Sequence, residues 1–366
     1  MFDKEELREK IQKELARLQE LRDSGSKDIY RSLHENAVKV ELQRSQTWIC
    51  KHLPKYMHYF AHGHEVHPTQ IQPLLVEVTE TWHADLFRLA RLTWSLPFTR
   101  GYGRRIKFLL LDESNGKLIG VLGLQSPPLD FPARDKEFQY PNGQKPIFVN
   151  QTMDIYTLGA IPPYNFLLGG KLVAFAASSN EIRQVYVRKY SDVYTQMDKR
   201  KLPPNLVALT TVSAFGRSSI YNRLSYKGKP VAKSLGYTEG YGSFHLAPLY
   251  SLITDFLKSE GVVKRGGFGV GPRIVWQNCL RALDRLGLPR SLLKHGIKRE
   301  AFIFPLIQNL QEYLSGIQEN PQYYDFSFSE LSQWWRERWL LGRSERTETW
   351  KYWRAEDTYK ALILNS

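Results

Sequence analysis

Cysteine is nearly absent: Cys50 and Cys279 are the only two in 366 residues. A disulfide framework is therefore not in play, and a reducing cytoplasm fits. Long apolar runs are missing too. The best candidates, around Phe302 to Leu310 and Leu167 to Ala177, fall short of the roughly 20 residues a bilayer-crossing helix needs. The N-terminus, "MFDKEELREKIQKELARLQEL", is a charged amphipathic stretch, not a secretory leader. A soluble cytoplasmic protein with no membrane partner is the expectation. Acidic residues are also in short supply. Asp and Glu number 37 against 51 Lys and Arg, which leaves a formal net charge of +14. That excess favours an anionic partner, nucleic acid first, an acidic membrane surface or phosphorylated cofactor after it. Metal-ligand spacing is lacking as well. His62, His64 and His67, with Cys50 and His52, form no Cys-x-x-Cys or His-Glu-x-x-His set, so no metal centre is expected.

What is present is an ordinary globular balance, 42% hydrophobic and 24% charged residues, in a chain long enough for two or three domains. Residues 1–69 read as helical. Asp3 caps a first helix with Glu6 three residues on, and Ile11, Leu15, Leu18 and Leu21 share one face. A second helix is expected from Asp28 to Leu53. Residues 70–250 alternate strands and helices. "IQPLLVEV" predicts a strand, "TWHADLFRLARLTWSL" a helix, and "RIKFLLLDE" with "KLIGVLGLQS" a hairpin around Ser114-Asn115-Gly116. "TMDIYTLGAI" and "NLVALTTVSA" predict adjacent strands of a mixed sheet, with a helix "GGKLVAFAASSNEIRQVYVRKY" between them. "SSIYNRLSY" predicts a short helix or turn and "GYTEGYGSFHL" a closing strand. Residues 251–366 read as helical again, including "REAFIFPLIQNLQEYLSG" and a capping box from Ser327 to Glu330.

Several segments carry candidate chemistry, each with a structural reading beside it. In "LLGGKLVA", Leu172 stands where a phosphate loop needs Ser or Thr, so a nucleoside triphosphate site is not supported. Gly169, Gly170 and Lys171 then form either a tight strand-to-helix turn or an anion or cofactor site at a helix N-terminus. "SLPFTRGYGRR" gathers Arg100, Arg104 and Arg105 around two glycines and Tyr102, which suits phosphate binding with stacking, or a solvated basic loop. "GRSSIYNRL" offers Arg217, Ser218, Ser219, Asn222 and Arg223 as an anion cradle, or a simple helix cap with exposed arginines. Asp135, next to Arg134, is a candidate general base or half of an ion pair. His245 is a catalytic candidate or a core histidine.

The order strand, helix, hairpin, strand, helix, strand, short helix, strand resembles the GNAT acyltransferase fold. That resemblance implies acyl-coenzyme A at the glycine-opened helix and a late tyrosine facing the leaving thiol, a place Tyr221 would take. The usual Gln/Arg-x-x-Gly-x-Gly/Ala loop is not clean here. Taken together, "WSLPFTRGYGRRIKFLLLD", "PPYNFLLGGKLVA", "GRSSIYNRL", "SLGYTEGYGSFHL" and "WWRERW" resemble the DruA family of the Druantia anti-phage system over roughly residues 70 to 355. The family implies a bacterial defence role, often beside a large helicase-like partner, and leaves the biochemical activity open. Three readings follow: a nucleic-acid-associated defence protein on a GNAT-like α/β core, an acyltransferase acting on nucleic acid, or a non-enzymatic adaptor that docks other defence proteins.

Overall fold

The computed structural model describes residues 3–23, 27–97, 99–195, 199–201, 203–238, 240–264 and 272–364. Glu239, inside the expected closing strand, and the side chain of Leu21 lie outside that set. The chain opens with helices α1 (Lys4–Asp23) and α2 (Lys27–Tyr56). Leu7, Ile11, Leu15 and Leu18 recur at helical spacing and are buried. Next come β1 (Pro73–Glu77), α3 (Thr81–Leu92) and the hairpin β2 (Arg105–Asp112) and β3 (Lys117–Gln125). Short helices α4 (Pro132–Asp135) and α5 (Lys145–Val149) lead into β4 (Thr152–Ala160). Helices α6 (Gly169–Ala176) and α7 (Asn180–Tyr190) precede β5 (Ala208–Val212), the small hairpin β6 (Ser225–Tyr226) and β7 (Lys229–Pro230), and β8 (Lys233–Tyr237). The remainder comprises α8 (Tyr250–Ser259), α9 (Pro272–Arg285), β9 (Glu300–Pro305), α10 (Leu310–Leu314), α11 (Phe328–Trp335), α12 (Leu341–Arg346) and α13 (Ala355–Leu362).

The main sheet is mixed and seven-stranded, in the order β1-β2-β3-β4-β5-β9-β8. The segments "TMDIYTLGAI" and "NLVALTTVSA" are adjacent in it, as expected. They form its parallel pair, and the ladder covers only Thr152–Ala208, Met153–Leu209 and Asp154–Thr210. β4 runs on to Ala160, and beyond the ladder the Thr211 hydroxyl takes up the Ile155 carbonyl at 3.0 Å.

Three expectations need correction. "REAFIFPLIQNLQEYLSG" is not a helix: Glu300–Pro305 is a strand between β5 and β8, and only Leu310–Leu314 is α-helical. Phe302 and Phe304 pack on one side of the sheet, Ala301 and Ile303 on the other. A strand buried on both faces loses its alternation and cannot be told from a buried helix by period. The helix after the paired glycines is two helices, because the Ser179 hydroxyl bonds back to the Ala176 carbonyl at 2.8 Å and α7 starts anew at Asn180. The closing strand ends at Tyr237, and Phe244–Leu249 is a 3-10 helix. Gly240 explains the break, since its φ of +74° and the Ile297 backbone beside it leave no room for a side chain.

The two faces of the sheet are covered differently. One carries a single apolar core that includes α6, α7 and α11 residues such as Leu172, Phe175, Ile182 and Trp335. The other carries two separate covers. Phe87, Leu89 and Ala90 of α3 pack over Leu109, Leu118 and Val121, whereas Ala133 of α4 and Leu310 of α10 pack over Ala208, Ala301 and Ile303. Between those covers lies the middle of β4. No helix among the described residues is long and apolar enough to cross a membrane.

Candidate functional site

The Arg217–Arg223 segment is organised around a carboxylate of the chain itself. Glu300, at the start of β9, is 5% exposed. Its Oε2 accepts from the Ser218 amide at 3.1 Å and from the Asn222 side chain at 2.6 Å. Its Oε1 accepts from the Ser234 hydroxyl at 2.9 Å. The Ser218 hydroxyl caps the turn by accepting from the Tyr221 amide at 3.2 Å. Of the residues expected to cradle an anion, Ser218 and Asn222 thus turn onto a carboxylate of the chain itself, Glu300. What the segment leaves outside is cationic: Arg217, Arg223, Lys227, Lys229 and Lys233 are exposed, as is Ser219. Lys227 and Gly228, at φ of +47° and +80°, make the tight turn of the β6–β7 hairpin. Trp334 supports that hairpin, donating to the Ser225 carbonyl and packing edge-on to Tyr226.

The Gly169–Lys171 turn meets this segment directly. The Lys171 ammonium donates to the Ile220 carbonyl at 3.0 Å, and a side chain built at Gly170 would meet Ile220 Cδ1 at 3.1 Å. Burial, and then Arg223 nearby, bring the Lys171 pKa down to about 8. The amides of Leu168, Gly169 and Lys171 donate to the carbonyls of Asn165, Tyr164 and Leu168, and Trp335 donates to Leu168 as well. The two segments are therefore in contact, and their polar groups are largely taken up by each other.

The three catalytic candidates do not meet. Tyr221 is buried edge-on to Phe302 and Phe304, and burial raises its pKa. Asp135 is paired with fully buried Arg134 at 2.6 Å and with Lys145 at 3.0 Å. Burial works to raise its pKa, but the Phe131 amide, Lys145 and Arg134 outweigh it and hold the carboxyl below its usual range. His245 lies in a buried cluster with Phe244 and His295, and burial lowers its pKa to about 4. Of the arginine trio, Arg104 turns inward, donating to the Tyr186 hydroxyl and, at 2.7 Å, to the Asn150 carbonyl. Arg100 and Arg105 are exposed. Beneath them Lys107 has its pKa lowered by burial, then by Arg105 and Arg100. No His, Cys, Asp and Glu group suited to a metal ion occurs among the described residues.

A second constellation escaped the sequence reading. Cross-strand pairing sets Arg105, Gln125, Asp154 and Thr210 in one row across β2, β3, β4 and β5. Leu124 and Ile155, beside them, belong to the α6–α7 core, so the row faces the other side, into the gap between the two covers. The Asp154 carboxylate accepts from Gln125 Nε2 at 2.9 Å and Thr210 Oγ1 at 3.1 Å. The residue as a whole is half-buried. Burial nevertheless pushes its pKa up to about 6, against those two hydrogen bonds and the field of Arg134. A β-bulge leaves Tyr156 between the Gly123–Thr157 and Leu124–Ile155 pairs. Its ring covers Gly123, where any side chain would meet it at 2.7 Å, and its hydroxyl is buried with no hydrogen-bond partner among the described residues.

A family model described as Druantia protein DruA matches residues 24–316. The chain belongs to the Druantia DruA family. A Druantia protein DruA from Escherichia coli strain UMEA 4076-1 is 37% identical over 347 residues, covering 93% of this chain and 86% of the relative. No solved structure matches the chain. The matched stretch contains both constellations, from Arg105 to Glu300.

Proposed function

We propose that this chain is a nucleic-acid-associated component of a bacterial anti-phage defence system, working in the cytoplasm on a GNAT-like α/β core. Membership of the DruA family supports the defence role, since the relative is by name a Druantia protein. The family resemblance also implies a helicase-like protein as a partner. The GNAT-like description is supported by the mixed sheet, its short parallel β4–β5 ladder and the glycine-opened helix after β4. The acyl-coenzyme A reading gains no such support, because the Gly169 and Lys171 amides at the start of α6 are already bonded within their own turn.

One observation carries the nucleic-acid reading. From Ser213 to Thr238 there is no Asp or Glu, and Arg217, Arg223, Lys227, Lys229 and Lys233 are all exposed. Glu300 anchors the segment from inside, so its hydroxyls and amides maintain shape while its cations face outward. This is the division of labour a phosphate-tracking surface needs, with affinity coming from released counterions. The test is binding of a short duplex and a short single strand across a salt series. Replacing those five cations with glutamine should weaken binding and flatten the dependence of log K on log salt by roughly 0.7–0.9 for each phosphate no longer neutralised. Unchanged affinity and slope in a folded variant would remove the interface from this segment.

A further inference from the structure

The trough over the middle of β4 has the marks of a built site. Two buried arginines hold its banks. Arg91 of α3 donates to Thr157 on β4 at 3.2 Å and to the carbonyls of Leu96 and Pro97 at 2.9 and 2.7 Å. Arg134 of α4 donates to the carbonyls of Pro128 and Leu129 at 3.0 and 2.7 Å, and to Asp135. Each guanidinium therefore fixes one of the loops that flank the gap. The floor is polar: Gln125, Asp154 and Thr210 hydrogen-bond side by side, whereas the Leu124–Ile155 and Met153–Leu209 pairs flanking the row face the opposite core. Such a row weakens a core and calls for a reason.

Two features of the floor remain unmatched by the described residues. The Tyr156 hydroxyl is buried without a partner, a costly arrangement that a ligand would relieve. Exposed Arg105 stands at the end of the same row, paired across strands with Gln125, and exposed Arg100 immediately precedes Gly101, so positive charge gathers on that side of the trough. The loop that carries Arg100 closes over the floor. Gly101, at φ of +69°, approaches so closely that a side chain there would meet the Tyr156 ring at 3.1 Å and Gln125 Oε1 at 3.4 Å. Gly103, at φ of +62°, is tighter still, since a side chain there would meet Ser126 Cβ at 2.8 Å. Entry to the floor requires this short cover to move aside.

We infer that the trough binds a nucleotide unit, with its phosphate at Arg100 and Arg105 and its hydrogen-bonding edge at Asp154, Gln125 and the Tyr156 hydroxyl. Adjacent carbonyl, amide and carboxyl groups match the mixed donors and acceptors of a base edge. The Tyr156 ring supplies a flat apolar wall, and the guanidiniums suit phosphate geometry. The unit is either a free nucleotide or one residue of a strand held by the Arg217–Lys233 surface. In the second case the inference rests on the nucleic-acid reading above.

Adenosine and cytidine monophosphate, a short single-stranded oligonucleotide and inorganic phosphate are the probes, titrated calorimetrically against the full chain. Tyr156→Phe removes only the unpartnered hydroxyl, and Asp154→Asn keeps the size of the carboxyl. Neither should lower the melting temperature. Both should weaken nucleotide binding by about tenfold or more, the worth of one good buried hydrogen bond, and both should reduce phage protection in cells carrying the complete system. Binding of a monophosphate assigns a free ligand, and binding of the oligonucleotide alone assigns a strand. Where a monophosphate binds, the five-cation variant separates this site from the proposed interface, because it should lose strand binding and keep monophosphate binding. The inference is overturned if inorganic phosphate binds as well as any nucleotide, if no nucleotide source binds, or if the two variants bind and protect like the parent. Should one variant fail to fold, the other decides.

Discussion

Glu300 and Asp154 are carboxylates in the same sheet, on β9 and β4, with β5 between them. Both lie among hydrogen-bond donors, yet their surroundings differ in kind. Glu300 is enclosed by a backbone amide and a carboxamide from the Ser218–Asn222 turn and a hydroxyl from strand β8, both far away in sequence. It ties the basic segment to the sheet, and its charge is spent on holding shape. Asp154 has only Gln125 and Thr210, two neutral side chains on neighbouring strands. It ties nothing together that strand pairing does not already hold. Its carboxyl is left near the balance point between charged and neutral, with an unpartnered hydroxyl in the same bulged stretch. A carboxylate that organises structure and one that is merely tolerated by it should respond to substitution in opposite ways.

The largest effect is expected at Glu300. Glu300→Ala strands three donors, and hydrogen bonds to a charged group are each worth about 1.5–3 kcal/mol. Unfolding by urea should show a loss of about 3 kcal/mol or more, because some donors find water. Glu300→Gln retains one oxygen acceptor and should cost about half as much. A neutral Glu300→Ala would mean that the segment folds without its internal anion, and the contrast with Asp154 would collapse.

At Asp154 the sign reverses. Its pKa rises on folding from 3.8 to about 6. The protonated form therefore favours the folded state. The stability this contributes is fully present below the usual carboxylate range, is lost as pH rises from about 4 to about 6, and stays lost above that. Asp154→Asn should remove that dependence and gain up to about 3 kcal/mol at neutral pH. Melting temperatures of parent and variant across this pH window provide the measurement. Parallel curves would show that the carboxyl is not held out of balance.

Much of this frame is legible from the residues, and its centre is not. The α1 stripe of Ile11, Leu15 and Leu18 and the β2–β3 hairpin follow from period and turn chemistry. So does the adjacency of β4 and β5, since two apolar strands joined by a helix pair in parallel. β9 escaped because "AFIF" is buried on both faces and carries no period of its own. That one miss hid the clamp, since Glu300 stands at the first position of the misread strand. Asp154 is visible in "TMDIY" as a lone acid between Met153 and Ile155. Its meaning depends on strand register, which places Gln125 and Thr210 beside it. Tyr156 depends on a bulge, a feature with no residue signature here. The cations of the Arg217–Arg223 segment are readable because charge needs no partner to be counted. Asn222 and the Ser218 amide are not, since what they bind comes from 78 and 82 residues further on.

The smallest effect belongs to the Ser218 hydroxyl, and it sharpens the account of the clamp. Ser218 contributes two groups to the same turn. Its backbone amide reaches Glu300, and its side chain accepts from the Tyr221 amide. Ser218→Ala removes the second and leaves the first intact. Loss of a capping hydroxyl typically costs about 1 kcal/mol, and the three-residue turn from Tyr221 to Arg223 is exposed enough at Asn222 and Arg223 for water to replace part of it. The change should be about 1 kcal/mol or less in denaturant unfolding, with nucleic-acid binding unaltered because no cation moves. Combined with Glu300→Ala, the two losses should fall short of additive, since both act on the ordering of one segment. A Ser218→Ala loss as large as that of Glu300→Ala would place the organising role in the hydroxyl rather than in the internal carboxylate.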